Sequence, residues 1–232
     1  MTAHEFSVSG QRVLVVGAAR SGVAAAHLLA RRGALVTLTD RKTEIADEAA
    51  LRGAGVVLEL GGHNLASFDA ASLVVLSPGV STDLPEVARA RANGIPVIGE
   101  LELASRWLRG PIVAITGTKG KSTTTTLVGR MLEAAGRRVM VGGNIGYPVS
   151  AQVEASTADT VHVIEASSFQ LETTESFRPW IAALLNFSPD HLDRHPRRSA
   201  RPAPAHSKSS LSPPRWLHCA SSPPGKRSDR AD

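Results

Sequence analysis

The sequence predicts an α/β protein built on parallel sheets, and three observations carry that prediction. Short apolar runs alternate with helical patterns from Arg12 to Leu185, the order expected when helices cover the faces of a mostly parallel sheet. Glycine-bearing turns follow the apolar runs at Gly17, Gly79 and Gly117. The stretch Ile112–Thr123 reads as a buried strand, then a glycine-rich turn, then Lys121-Ser122-Thr123 opening a helix, which is the layout of a phosphate-binding loop. The expected architecture is a Rossmann-like parallel-sheet domain over 1–109, a truncated P-loop α/β domain over 110–196, and a disordered tail over 197–232.

The first strand is Arg12–Val16. It runs into Gly17-Ala18-Ala19-Arg20-Ser21-Gly22, and a helical pattern follows from Val23 through Arg32 to Gly33. A second strand, Leu35–Thr39, stops at Asp40-Arg41-Lys42. This β-turn-α-β unit has glycines at its first turn and an acid at the end of its second strand. A dinucleotide fingerprint needs a second glycine where Ala19 stands. Gly17 and Gly22 therefore read either as ligand contacts or as tight helix–strand packing, and Asp40 either as a ligand contact or as a helix cap. Leu73–Leu76 leads into Ser77-Pro78-Gly79, Leu84–Asn93 has helical spacing, Gly94–Ile98 reads as a strand and Glu100–Leu108 as a helix. Gly17, Asp40 and Ser77–Gly79 all fall at strand carboxyl ends, where open α/β sheets bind ligands. Gly110-Pro111 breaks the helix and marks a domain boundary.

In the second half the glycine loop would curl its amides around phosphate oxygens, with the helix N-terminus behind it. Lys121 would reach the β/γ-phosphates and the Ser122 hydroxyl would ligate Mg²⁺. The bland alternative is a Gly/Thr-rich turn with a surface lysine. The general motif wants a glycine where Ile115 stands. The helix from Lys121 ends near Ala135, and Arg138–Val141 leads to Gly142-Gly143-Asn144-Ile145-Gly146. Thr160–Glu165 is a strand ending in a carboxylate, placed where a nucleotide enzyme sets its metal-ordering acid; an ordinary helix cap is the alternative. Ile181–Leu185 is a last strand, running into Asn186–Asp193 with His191 after it.

Composition narrows the class. The 232 residues carry a net charge of +5, yet residues 197–232 hold 8 Lys+Arg against 2 Asp+Glu, so residues 1–196 hold 18 against 19. The basicity belongs to the tail and gives no case for a nucleic-acid partner. No apolar run approaches the roughly 20 residues that span a bilayer, and the N-terminus lacks a signal-peptide layout. The single cysteine, Cys219, fits a reducing compartment, so a soluble cytoplasmic protein is expected.

Taken together, these blocks resemble the Mur ligase family, the ATP-dependent amide-forming enzymes of peptidoglycan precursor synthesis, and within it the branch that adds D-glutamate. The loop Thr116–Ser122 fits the family form, which also lacks the earlier glycine, with Lys119 where asparagine is usual. Ser77-Pro78-Gly79, Gly142–Gly146, Glu165-Ala166-Ser167-Ser168-Phe169-Gln170-Leu171-Glu172 and Asp190-His191-Leu192-Asp193-Arg194 follow in family order, and the resemblance covers about residues 10 to 196. It implies ATP and Mg²⁺ as cofactors, a monomer, and UDP-N-acetylmuramoyl-L-alanine and D-glutamate as substrates. Gly17, Ser21 and Gly22 would face the diphosphate, Asp40 and Arg41 the uridine, with Ser77 and Gly79 on the same edge. Asn144, Ser167 and Gln170 match positions contacting the muramoyl-alanine part. Gly117 through Thr123 would hold ATP, with Lys121 and Ser122 on its phosphates and Mg²⁺, and Glu165 and His191 match positions ordering a second metal. The implied chemistry is attack of the substrate carboxylate on the ATP γ-phosphate, giving an acyl phosphate and ADP, followed by attack of the D-glutamate amine and release of phosphate. Anion meets anion in the first step, so charge neutralisation by Mg²⁺ and Lys121 is the main catalytic need.

After Pro196 the texture changes. Residues 197–232 contain 8 Ser, 6 Pro and 6 Arg without helical or strand period, a composition that buries too little apolar surface to order itself. Family members continue with a lysine-bearing helix; Lys208 falls near that distance without the surrounding pattern, and the role is not carried over. The rest of the ATP domain and the third, D-glutamate-binding domain are expected to be missing, through a frameshift or sequencing error near Arg194–Arg197. A nucleotide sequence with no alternative frame encoding that helix would overturn this expectation. The chain is expected to have impaired activity, the alternative being a non-catalytic UDP-sugar-binding remnant. An NAD-dependent oxidoreductase rests on the first domain alone.

Overall fold

A computed structural model of the chain describes residues 6–188. The expectations for Asp190–Arg194, including His191, and for the segment 197–232 lie outside those residues. The first half alternates β1 (Arg12–Val16), α1 (Arg20–Arg31), β2 (Leu35–Asp40), α2 (Glu48–Gly53), β3 (Val57–Leu60), α3 (Leu65–Ala70), β4 (Leu73–Leu76), α4 (Pro85–Ala92) and β5 (Val97–Gly99), with α5 (Glu100–Ser105) directly after it. The five strands form one parallel sheet in the order β3-β2-β1-β4-β5. Both of its faces are covered, as a wholly parallel sheet requires. Because strand side chains alternate, Val13 and Val15 pack with Ala25, Ala26 and Leu29 of α1, while Leu14 and Val16 pack with Phe68, Val87 and Ala90 of α3 and α4.

The second half contains β6 (Ile112–Thr116), α6 (Lys121–Ala134), β7 (Arg138–Gly143), α7 (Val149–Gln152), a 3-10 turn (Val153–Ala155), β8 (Thr160–Glu165), α8 (Ser168–Leu171) and β9 (Ile181–Leu184). These strands form a second parallel sheet in the order β7-β8-β6-β9. Within it His162 is fully buried and bonds through its two ring nitrogens to Ser156 Oγ (2.8 Å) and Gln152 Oε1 (3.1 Å). Burial holds its pKa down to about 4, so this histidine is a neutral tie between β8 and the α7 layer.

The sheets share a core. Leu28 of α1 with Leu101 and Ala104 of α5 cluster with Ile112, Ala114, Val149, Ile164 and Phe177. Two acids of α5 add polar ties. Glu100 Oε1 accepts from Ser150 N at 2.6 Å, and burial raises its pKa despite that bond. Burial would also raise Glu102, but bonds from Ser176 Oγ and the Glu175 amide, with further ones from Arg106 and the Ser176 amide, lower it on balance. The Phe177 amide also donates to Glu102, at 3.0 Å.

Several elements depart from the sequence expectations. Helix α1 begins at Arg20, so Ser21 and Gly22 lie in its first turn and not in the preceding loop. Strand β5 begins at Val97: Gly94 turns at φ +75° and Pro96 has no amide to give a ladder. Helix α5 stops at Ser105, whose hydroxyl turns back to the Glu102 carbonyl. Among the described residues no helix is long and apolar enough to cross a membrane.

Candidate functional site

The carboxyl ends of the first sheet bring Gly17, Gly22, Asp40 and Ser77 together. Parallel pairing continues past the strands: Gly17 N donates to Thr39 O (2.8 Å) and Ser77 N to Val16 O (3.0 Å). Asp40 is not a helix cap. Its Oδ2 accepts from Ala18 N at 2.6 Å and its Oδ1 from Lys42 N at 2.8 Å, so it braces the glycine turn across two strands. Gly22 is required by close approach, since a Cβ there would overlap the Gly17 carbonyl. Ser77 is buried against this turn, while Gly79 and Arg41 are exposed on the rim. Sequence reasoning missed the segment after β3. Thr39 Oγ1 donates to Gly62 O (3.0 Å) and meets His63 Nδ1 (3.0 Å), which puts Gly61-Gly62-His63 on the same edge. The signal was present as a Gly-Gly-His-Asn turn after Val57–Leu60.

The second sheet places its loop and its acid side by side through strand register. Ile115 on β6 pairs with Glu165 on β8, and Ala166 N donates to Ile115 O at 2.9 Å. Glu165 is 1% exposed. Its Oε1 accepts from Asn144 Nδ2 (2.8 Å), and its buried Oε2 has no partner among the described residues. Asn144 is in turn fixed by its own amide, which donates to Glu165 O at 2.9 Å. The cap of α8 is Ser167, not Glu165. Ser167 Oγ accepts from Gln170 N and Gln170 Oε1 from Ser167 N, a reciprocal capping box. That arrangement leaves Gln170 Nε2 buried without a partner among the described residues.

In the loop, Lys121 Nζ donates to Gly117 O (2.7 Å) and Thr118 O (3.0 Å). Gly117 sits at φ +139°, and a Cβ there would come within 3.1 Å of the Asn186 backbone, so only glycine suits the position. Lys119, Gly120, Ser122 and Thr123 are exposed. No acceptor among the described residues takes the amides of Gly120 to Thr123. Free amides at a helix N-terminus can hold a phosphate group, and a buried carboxylate oxygen without a donor, as on Glu165, can hold a divalent cation. Among the described residues no three acidic, histidine or cysteine side chains gather around a metal position. Arg20 Nη1, at the start of α1, donates to Gly146 O in the second half at 3.4 Å.

Comparison with known proteins matches both halves. The N-terminal domain of MurD-like Mur ligases matches residues 11–99, and the Mur ligase middle domain matches residues 115–202. The chain is 54% identical over 191 residues to the UDP-N-acetylmuramoylalanine–D-glutamate ligase of Acidobacterium capsulatum, which covers 81% of this chain and 41% of that protein. Its identity to the ligase of the same name from Anaeromyxobacter dehalogenans is 56% over 192 residues, covering 82% of this chain and 41% of the relative. The chain thus spans about 41% of the length of these relatives. Among solved structures, the UDP-N-acetylmuramate:L-alanyl-gamma-D-glutamyl-meso-diaminopimelate ligase of Neisseria meningitides aligns with a TM-score of 0.52 at 22% identity, over 80% of this chain and 63% of that one, a likeness of fold. Two consecutive domain matches on the two parallel sheets, with identities above one half to ligases of one name, place the chain in the Mur ligase family, as the N-terminal and middle domains of the MurD type.

Proposed function

We propose that these two domains are the nucleotide- and UDP-substrate-binding part of an ATP-dependent ligase that joins D-glutamate to UDP-N-acetylmuramoyl-L-alanine. The observation that supports the reading is the pairing of Ile115 with Glu165, by which the strand running into the glycine loop lies next to a strand that ends in a buried carboxylate with an unpartnered oxygen. Gly117 to Thr123 cradle the ATP phosphates. Lys121 gives up its two loop carbonyls to neutralise phosphate charge. Ser122 would hold Mg²⁺ at the phosphates, and Glu165 with His191 would hold a second metal ion. Bound Mg²⁺ supplies the charge neutralisation that lets one anion approach another. The turn Gly17–Gly22 takes the diphosphate through amides at the start of α1, Asp40 and Arg41 border the uridine, and Ser77 and Gly79 flank it. Asn144, Ser167 and Gln170 orient the muramoyl-alanine carboxylate toward the γ-phosphate. Attack there gives an acyl phosphate and ADP, and the D-glutamate amine then displaces phosphate to form the amide.

Turnover by the 232 residues alone is impaired, while binding of both ligands is retained. The domain limits 1–109 and 110–196 belong to this reading, as does action as a monomer in the cytoplasm. The alternative is a UDP-sugar- and nucleotide-binding remnant without catalysis. Calorimetric titration with Mg-ATP and with UDP-N-acetylmuramoyl-L-alanine tests the binding, and phosphate release dependent on D-glutamate tests the turnover. Saturable binding of both is expected, with nucleotide affinity falling at least tenfold in Lys121→Ala. No saturable nucleotide binding by the intact chain would sink the reading, and D-glutamate-dependent turnover would eliminate the remnant.

A further inference from the structure

Asn186, just beyond β9, is bonded to the phosphate loop along its whole first half. Its Oδ1 accepts from Thr118 N (3.1 Å) and Lys119 N (2.9 Å), its Nδ2 donates to Lys119 O (2.9 Å), and its backbone carbonyl accepts from Thr118 N (3.2 Å). Thr118 Oγ1 and the Ser188 backbone exchange two further bonds, at 3.0 and 3.1 Å. Most peptide groups from Gly117 to Gly120 have a partner. The Gly117 and Thr118 carbonyls take Lys121 Nζ, the Thr118 and Lys119 amides take Asn186 Oδ1, and the Lys119 carbonyl takes Asn186 Nδ2. The Gly117 and Gly120 amides have no acceptor among the described residues. Lys121, Asn186 and Thr118 therefore hold the loop in shape, and of these only Lys121 carries the charge by which a phosphate could draw it away.

We infer that Asn186 is a positioning residue for the nucleotide: it keeps the loop in its binding shape when Lys121 leaves the Gly117 and Thr118 carbonyls for phosphate oxygens. This rests on the reading of 117–123 as an ATP site. A side-chain amide is suited to the place because one group meets both needs, an acceptor for the Thr118 and Lys119 N–H groups and a donor for the Lys119 carbonyl that follows them, without adding charge beside an anion. Asn186 also divides the loop's donors. Those of Thr118 and Lys119 are spent on the brace, and those of Gly120 to Thr123 are left to the ligand.

The test is binding of Mg-ATP and Mg-ADP to the intact chain and to Asn186→Ala and Asn186→Asp, with UDP-N-acetylmuramoyl-L-alanine titrated in parallel. The Ala variant is expected to lose about tenfold in nucleotide affinity, the scale of two ordinary hydrogen bonds, with UDP-substrate affinity unchanged. The Asp variant keeps the size and the acceptor but turns a carboxylate oxygen toward Lys119 O. Its loss is expected to be larger for ATP than for ADP and to shrink as salt is raised. Nucleotide affinity within twofold of the parent in either variant would overturn the inference, as would an equal loss of UDP-substrate affinity, which would mark general unfolding. Failure of the parent chain itself to bind nucleotide would instead overturn the reading beneath it.

Discussion

At the scale of single residues, the site is held by partners that sequence spacing names only in part. Glu165 was legible as a strand-terminal acid after a phosphate loop. Its contact with Asn144 was not, because that bond depends on β7 and β8 lying adjacent, a fact of topology. Asp40 shows the same limit, since a strand-end acid can face a ligand, cap a helix or, as here, hold the Ala18 amide. Asn186 carried no local motif at all, and its meaning comes wholly from the loop it reaches across the sheet. The unpartnered Oε2 of Glu165 has a measurable consequence. A buried carboxylate oxygen without a donor costs stability, so function and stability are set against each other at this side chain. Glu165→Gln is expected to leave the melting temperature equal or higher, by about 1 kcal/mol of stability, while abolishing the Mg²⁺ dependence of nucleotide binding. Loss of both together would mean that Glu165 acts through folding alone.

At the scale of elements, the strands with strongest apolar runs were read closest to their true limits: β1, β4 and β8 match residue for residue. The missed elements are short and partly exposed. Strand β3 holds only four residues, none of them buried, and α2 and α3 hold six each, too few for a 3.6-residue period to declare itself. Their helicity comes from packing Leu51 and Phe68 into the core. Helix α5 illustrates the converse, a helix whose acids were unremarkable in sequence and decisive in place. Glu102 is fully buried, takes an ion pair from Arg106 at 2.9 Å, and gathers the amides of Glu175, Ser176 and Phe177, thereby fixing the stretch that links α8 to β9. Glu102→Ala strands those donors and the arginine together, and is expected to cost on the order of 3 kcal/mol. Urea denaturation checks this, and a loss below 1 kcal/mol would show that water replaces the carboxylate without penalty.

At the scale of the molecule, the sequence suggested two domains divided at Gly110-Pro111, and the packing joins the two sheets through one apolar cluster fed by both halves. The alternation of elements reveals the sheets, but which helices lie between them is decided by side chains remote in sequence, such as Leu28 against Val149. A shared core couples the stability of the halves. Residues 6–188 are expected to melt in one transition with equal calorimetric and van't Hoff enthalpies; two resolved transitions would show that the halves unfold independently. The register of Ile115 with Glu165 has a consequence in time as well as in space. Loop and acid come from strands far apart in the chain, so the site exists only after a distant closure, and such closures come late and slowly. Nucleotide can recognise the finished fold but cannot guide the search for it. Its presence should lengthen the life of the native state and leave the pace of refolding as it was.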